Sequence, residues 1–288
     1  MTNQPPPIGD VRRSFVTVRG VRFHVTEAGP LDGRPVLALH GWPQHHWVYR
    51  DLLADPPPGM RIIAPDLPGY GWSGPPPHRW AKEDVVSDLV ALMDALGLDR
   101  VLLVGHDWGG YIGHLLTLRV PERIEGYLVL NMAHPWVPPK VLARHAWRFL
   151  LYQPLIAIAG VPVQRRTGFL DRVYRSASEI DPQTARVYTE RFRDPVVART
   201  ARDTYRTFLF HEVAAGVRTG EQRRSTVPTR VLFGKDDSAV APALAAAETA
   251  RADDYTVEVV EGGHFIADEQ PELVRAKLIS LAEETATT

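Results

Sequence analysis

The stretch Val101-Leu102-Leu103-Val104-Gly105-His106-Asp107-Trp108-Gly109-Gly110 decides the fold. Four apolar, β-prone residues read as a strand buried on both faces, and the apolar run Tyr111 to Leu118 that follows reads as a helix. Glycines two places either side of Asp107 let strand and helix pack closely, so the turn is sharp and pushes residue 107 above the sheet at a helix N-terminus. Such a unit needs neighbouring strands on both sides.

The flanks supply them. Upstream, Ser14 to Val18 and Val21 to Thr26, joined by Arg19-Gly20, predict an opening hairpin. Pro35 to Leu39 and Arg61 to Ala64 are continuous apolar runs of the parallel-sheet kind. Between Ala81 and Leu96, Val85, Leu89, Leu92, Met93 and Leu96 recur at spacings of three and four, and Gly97 follows as a stop, which predicts a helix. Downstream, Gly126 to Leu130, Thr229 to Phe233 and Thr256 to Val260 read as strands, with helices near Ala241 to Ala250 and from about Glu269 to Leu281.

The expected architecture is therefore α/β. Residues 1–134 and 218–288 form one core domain, a mostly parallel eight-stranded sheet with an antiparallel opening hairpin and helices on both faces. Residues 135–217, opening on Pro135, Pro138 and Pro139, keep helical periodicity without a strand-like run. They read as a helical lid inserted over the C-terminal strand edge. From Lys140 to Arg218 there are 14 Lys and Arg against 7 Asp and Glu, a local charge of +7, which leaves -8 on the remainder. Arginines of such a segment are expected on a solvated outer face.

At 288 residues, 44% hydrophobic and 23% charged, the chain is folded rather than disordered. Net charge -1 gives no basic excess for nucleic acid or anionic membranes, and a small uncharged ligand is favoured. There is no cysteine, which excludes disulfides, thiolate catalysis and Cys-ligated metals. The start does not read as a signal peptide. Phe149 to Val163, the longest mostly apolar stretch, contains Gln153 and two prolines and falls short of the roughly 18 apolar residues of a membrane span. The expectation is a cytoplasmic protein without cofactor or metal, its oligomeric state open with a homodimer among the options.

The chemistry follows from Asp107. A strand, sharp turn and helix of this form is a nucleophile elbow, here with aspartate in place of the usual serine. A carboxylate is already ionised at neutral pH and suits attack on a saturated carbon bearing a leaving group; the alkyl ester that results must then be hydrolysed. That second step needs a base. His264, in Gly262-Gly263-His264-Phe265 beyond the last strand, can activate water, and Gly234-Lys235-Asp236-Asp237 offers a carboxylate to orient it. Asp237 is favoured over Asp236. His40-Gly41-Trp42-Pro43 would bring the Trp42 backbone N–H to the nucleophile as an oxyanion donor, with the Trp108 N–H as the second. His40 reads as a structural loop residue. The pair His45 and His46 lacks a carboxylate at ligand spacing, and Asp66 to Ser73 reads as a structured turn, not a phosphate loop.

With these motifs the chain resembles the α/β-hydrolase superfamily over nearly its full length, and within it the epoxide hydrolases and haloalkane dehalogenases that share an aspartate nucleophile. The resemblance rests on His40 to Pro43, Asp66 to Ser73, Gly105 to Gly110, Gly234 to Asp237 and Gly262 to His264. Epoxide hydrolases resemble one another in two lid tyrosines that assist ring opening. Tyr152-Gln153 and Tyr205-Arg206 match that pattern, and Tyr174 and Tyr188 compete for either role. Many haloalkane dehalogenases carry Asn or Glu where this chain has Trp42. The resemblance thus implies an epoxide hydrolase that converts an epoxide substrate to a diol, with haloalkane dehalogenase or a noncatalytic binding homologue as alternatives.

Overall fold

The computed structural model describes residues 4–286 except 167, 178–179, 214, 216–220 and 248. Its eight strands are β1 (Arg12–Val18), β2 (Val21–Ala28), β3 (Arg34–Leu39), β4 (Met60–Pro65), β5 (Val101–His106), β6 (Ile124–Leu130), β7 (Thr229–Gly234) and β8 (Tyr255–Val260). They form one sheet in the order β1-β2-β4-β3-β5-β6-β7-β8. β1 and β2 pair antiparallel, as does β2 with β4, and every other pairing is parallel. The parallel strands therefore end along one edge, where the loops after β3, β5, β6, β7 and β8 meet.

Alternation sorts the core. Leu37, Leu39, Ile63 and Leu103 pack on one face of the sheet, and their neighbours Val36, Ala38, Ile62, Leu102 and Val104 pack on the other. Each such side chain removed from water is worth about 1.5–3 kcal/mol. Central β5 is buried at every position, whereas edge strands β1 and β8 keep exposed residues. Among the flanking helices are α1 (Arg50–Ala54), α2 (Lys82–Ala95) and α3 (Trp108–Arg119), which begins directly at the Asp107 turn.

Among the described residues, the chain between β6 and β7 is mainly helical: α4 (Pro139–Leu150), α5 (Gln153–Arg166), α6 (Phe169–Ala177), α7 (Pro182–Arg191) and α8 (Pro195–Thr207), followed by a π-helical turn at Phe208–Glu212. α7 and α8 start on Asp-Pro. Asp181 accepts from the amides of Gln183 and Thr184, and Asp194 from that of Val196, with proline at the first helical position. The expected end of the insertion at 217–218 lies outside the described residues.

Two expectations need correction. The single helix expected from Ala241 to Ala250 is a short α9 (Pro242–Ala246) followed by a 3-10 turn at Thr249–Arg251. Alanine favours helix, but Leu244 and Ala245 are the residues of α9 that are buried, and the Ala247 carbonyl accepts from His134 Nε2 instead of extending the helix. The chain then runs through β8 into α10 (Ile266–Glu269) and α11 (Pro271–Ala286). The second correction concerns length. α4 and α5 follow so closely that Pro139–Arg166 is a 28-residue helical stretch, long and apolar enough by composition to cross a membrane. It is nonetheless kinked at Ala159 and turns Gln153 and Gln164 into the protein.

Candidate active site

Asp107 has φ 49° and ψ -123°, a backbone conformation that side chains other than glycine rarely adopt. The surroundings hold it there. A Cβ on Gly109 would collide with the Leu39 and His40 carbonyls, and one on Gly41 with the Asp107 carboxylate itself, so only bare backbone fits at both places. Asp107 as a whole is 5% exposed. One oxygen, Oδ1, accepts the Trp42 backbone N–H at 2.7 Å. The other, Oδ2, lies 3.6 Å from His264 Nε2, which is too long for a hydrogen bond.

His264 Nδ1 donates to Asp237 Oδ2 at 2.8 Å, which turns Nε2 toward Asp107. Asp237 is buried, and its other oxygen accepts the amides of Ala239 and Val240 at 2.7 and 2.8 Å. Asp236 is exposed and its amide is spent on the Gly262 carbonyl. Of the two aspartates, Asp237 is the one at the imidazole. Burial opposes a charge on His264, but Asp237 and Asp107 more than offset it and push its pKa up to about 10.

The segment between β6 and β7 brings aromatic rings to the site. Tyr205 packs edge-on against both Trp42 and Trp108, with centroids 5.3 Å away in each case. Tyr152 stacks on Trp42 at 6.0 Å and meets Tyr205 at 5.9 Å. Burial, reinforced by the Asp107 charge, raises the pKa of both phenols, so both stay protonated donors. Tyr174 and Tyr188 pack against each other and donate to the Pro43 carbonyl and to Asp268. They are bound into structural contacts.

Residues the sequence reading passed over complete the shell. Asn131, just past β6 with φ 50°, donates from Nδ2 to Asp237 Oδ2 at 2.8 Å and to the Gly263 carbonyl at 3.1 Å. His106 Nε2 bonds to the His264 carbonyl at 2.8 Å. Gln164 of α5 accepts the Trp42 indole N–H at 2.9 Å, and Arg148 of α4 donates to the Asp237 carbonyl at 2.6 Å. Buried Lys82 pairs with Glu212, donates to the Thr204 carbonyl and lies 4.4 Å from the Trp108 ring centroid. Asn131 carried a visible signal, a polar residue at the end of an apolar strand. His106 ends β5, and Gln164, Arg148 and Lys82 sit in helices with no local mark.

His40 is structural as expected, with Nε2 accepting the Leu67 amide. The reading of His46 is corrected: a carboxylate does reach it, because Asp66 at the end of β4 stands beside both His46 and His24, their ligand atoms within 4.8 Å of one another. Each imidazole Nδ1 lies at hydrogen-bond distance from Asp66, 2.8 and 2.9 Å, and the amides of His46 and Trp72 take up the rest of its capacity. These four bonds satisfy Asp66 without an ion, whereas Nε2 of both His24 and His46 is buried with no hydrogen-bond partner among the described residues. Two open cavities, of about 500 and 550 Å³, lie on the flanks of the insertion and are not lined by Asp107, Asp237 or His264.

The order of strands, the turn after β5 and the carboxylate–imidazole pair after β7 and β8 define a hydrolase-type fold, and residues 34–271 match the family model described as alpha/beta hydrolase fold. The chain belongs to that family. Among its relatives, epoxide hydrolase 4 of Mus musculus is 26% identical over 92% of this chain and 78% of its own length. Haloalkane dehalogenase 2 of Mycobacterium tuberculosis is 29% identical over 93% of each chain. An epoxide hydrolase structure from Vigna radiata superimposes with a TM-score of 0.78 at 24% identity, covering 95% of this chain and 98% of that one.

Proposed function

We infer that this chain is an epoxide hydrolase working through an ester on Asp107. The observation that carries the reading is the pair of neutral phenols, Tyr152 and Tyr205, packed over the Trp42 and Trp108 rings beside Asp107. Opening an epoxide leaves a basic alkoxide that needs a hydrogen-bond donor; a departing halide does not.

In this mechanism Asp107 Oδ2 attacks a ring carbon, the C–O bond breaks, and its electron pair goes to the oxygen, which the tyrosine hydroxyls hold and protonate. Oδ1 becomes the ester carbonyl oxygen, already on the Trp42 N–H. Esterification removes the Asp107 charge, one of the two charges that raise the His264 pKa, and so favours release of the imidazole's proton. His264 then takes a proton from water, the hydroxide adds to the ester carbonyl carbon, and negative charge collects on Oδ1 opposite the Trp42 and Trp108 amides. Collapse breaks the bond between the ester carbon and the alkyl oxygen, which takes the proton held by His264; the new acid returns a proton to the imidazole and the one released on esterification returns to the tyrosine phenolate, so the diol leaves with carboxylate, imidazolium and phenols restored. No metal or cofactor enters these steps.

A second reading has its own support: the buried Trp108 indole N–H makes no hydrogen bond of normal geometry among the described residues, with the Tyr205 hydroxyl as its polar neighbour, and an N–H so placed can cradle a halide. Intact mass of a His264→Gln variant mixed with epoxides and haloalkanes separates the two. Addition of a whole epoxide, absent in Asp107→Ala, is the expected result. Addition of an alkyl group with halide lost moves the assignment to a dehalogenase.

A further inference from the structure

A helix on the outside of a folded protein normally turns its polar side to water. α4 and α5 pack apolar residues such as Phe149, Ile156 and Ala157 inward and expose apolar residues outward as well. Trp147, Leu150, Leu151, Leu155 and Ile158 all face solvent, Leu151 at 73% and Ile158 at 71% of full exposure. Between Pro139 and Arg166 every exposed side chain is apolar or cationic, and the segment contains no Asp or Glu. The exposed positions 140, 144 and 147 of α4, and 155, 158, 162 and 166 of α5, recur at spacings of three and four and so line the outer side of each helix, with exposed Leu151 at the junction and the kink at Ala159 within the second run. That face begins with Lys140 and Arg144, continues as an apolar ridge, and ends with Arg166. Between the bracketing cations it runs roughly 30 Å, at 1.5 Å per helical residue.

The charges choose the occupant. In a two-fold dimer through this ridge, an antiparallel arrangement sets Arg166 against Lys140 and Arg144 of the other copy, and a parallel one sets each cation against itself. Like charges meet either way, with no carboxylate on the face to relieve them. An anionic lipid surface satisfies both features together, since headgroups pair with the terminal cations while the ridge enters the acyl boundary. We propose that the outer face of α4–α5 docks this protein on an anionic bilayer. The helices lie in the interface and do not span it, because their inner face is held by the protein through Gln164 on Trp42 and Arg148 on Asp237. This departs from the expectation drawn from net charge, which averages the patch away.

The full chain is sedimented with vesicles of phosphatidylcholine alone and of phosphatidylcholine with phosphatidylglycerol. Binding is expected to the anionic vesicles only, to weaken as salt is raised, and to fall at least tenfold in Leu151→Glu/Ile158→Glu, with turnover of a water-soluble epoxide unchanged. Lys140→Glu/Arg144→Glu, which spares the ridge, is expected to weaken it as well. Absence of binding to the anionic vesicles by the native chain overturns the proposal. So does undiminished binding by both variants, or a native dimer in sedimentation velocity that Leu151→Glu/Ile158→Glu dissolves while lipid binding is missing.

Discussion

Replacing His264 with glutamine should flatten the dependence of stability on alkaline pH. His264 lies between Asp107 and Asp237, and its pKa is raised from 6.5 to about 10 in the folded protein. Because the folded value is the higher, the stabilisation is complete below the unfolded pKa of 6.5 and is lost as pH rises through 10. A shift of this size corresponds to about 5 kcal/mol at most. Linkage then makes the native chain lose on the order of 2 kcal/mol from this group between pH 6 and pH 8, and about 2 kcal/mol more by pH 10. Urea unfolding of native protein and His264→Gln at those three pH values isolates the contribution, since other groups affect both proteins alike. The difference between the two should shrink by about 4 kcal/mol across the range. Parallel curves would refute the argument that two carboxylates hold an imidazolium at rest. In Asp107→Asn, with one of the two charges removed, the slope should be intermediate.

Tyr205→Phe should lower kcat/KM for epoxides by about ten- to a hundredfold, because Tyr152 still donates to the departing oxygen; steady-state kinetics with an unimpaired variant would remove Tyr205 from ring opening. Asn131→Ala strips one of four hydrogen bonds from the buried Asp237. It should cost about 1–2 kcal/mol in chemical denaturation and slow ester hydrolysis more than ester formation in single-turnover measurements. Gly41→Ala drives a methyl into the Asp107 carboxylate. No alkylated enzyme should then be detected by mass, and normal burst labelling would contradict the close approach.

The core elements were legible because they are local. β5 and its turn are spelled by an apolar run and two glycines, and the continuous apolar strands announce a sheet covered on both sides. Asp237 and His264 could be picked out because each follows a strand ending on the same edge. Gln164, Arg148 and Lys82 were not legible, since each owes its importance to a partner many residues away that only the packed fold brings near. Asp66 shows the same limit. Its neighbours His24 and His46 lie 42 and 20 residues off in the chain, and no spacing rule connects them. The α4–α5 ridge was missed for a different reason: apolar periodicity says that a helix has a greasy stripe, not which way that stripe faces.

The Trp42 side chain and backbone answer to different parts of the molecule: its amide holds Asp107 on the sheet, while its indole is held by Gln164 of α5. Carboxylate, imidazole and orienting aspartate all belong to the sheet edge, and both phenols to the inserted helices. Exchanging the insertion for another would leave the first group in place and carry away the second together with the indole's anchor. On the proposed mechanism, the molecule thus divides its labour between a fixed part that bonds to carbon and a replaceable part that decides which atom is allowed to leave.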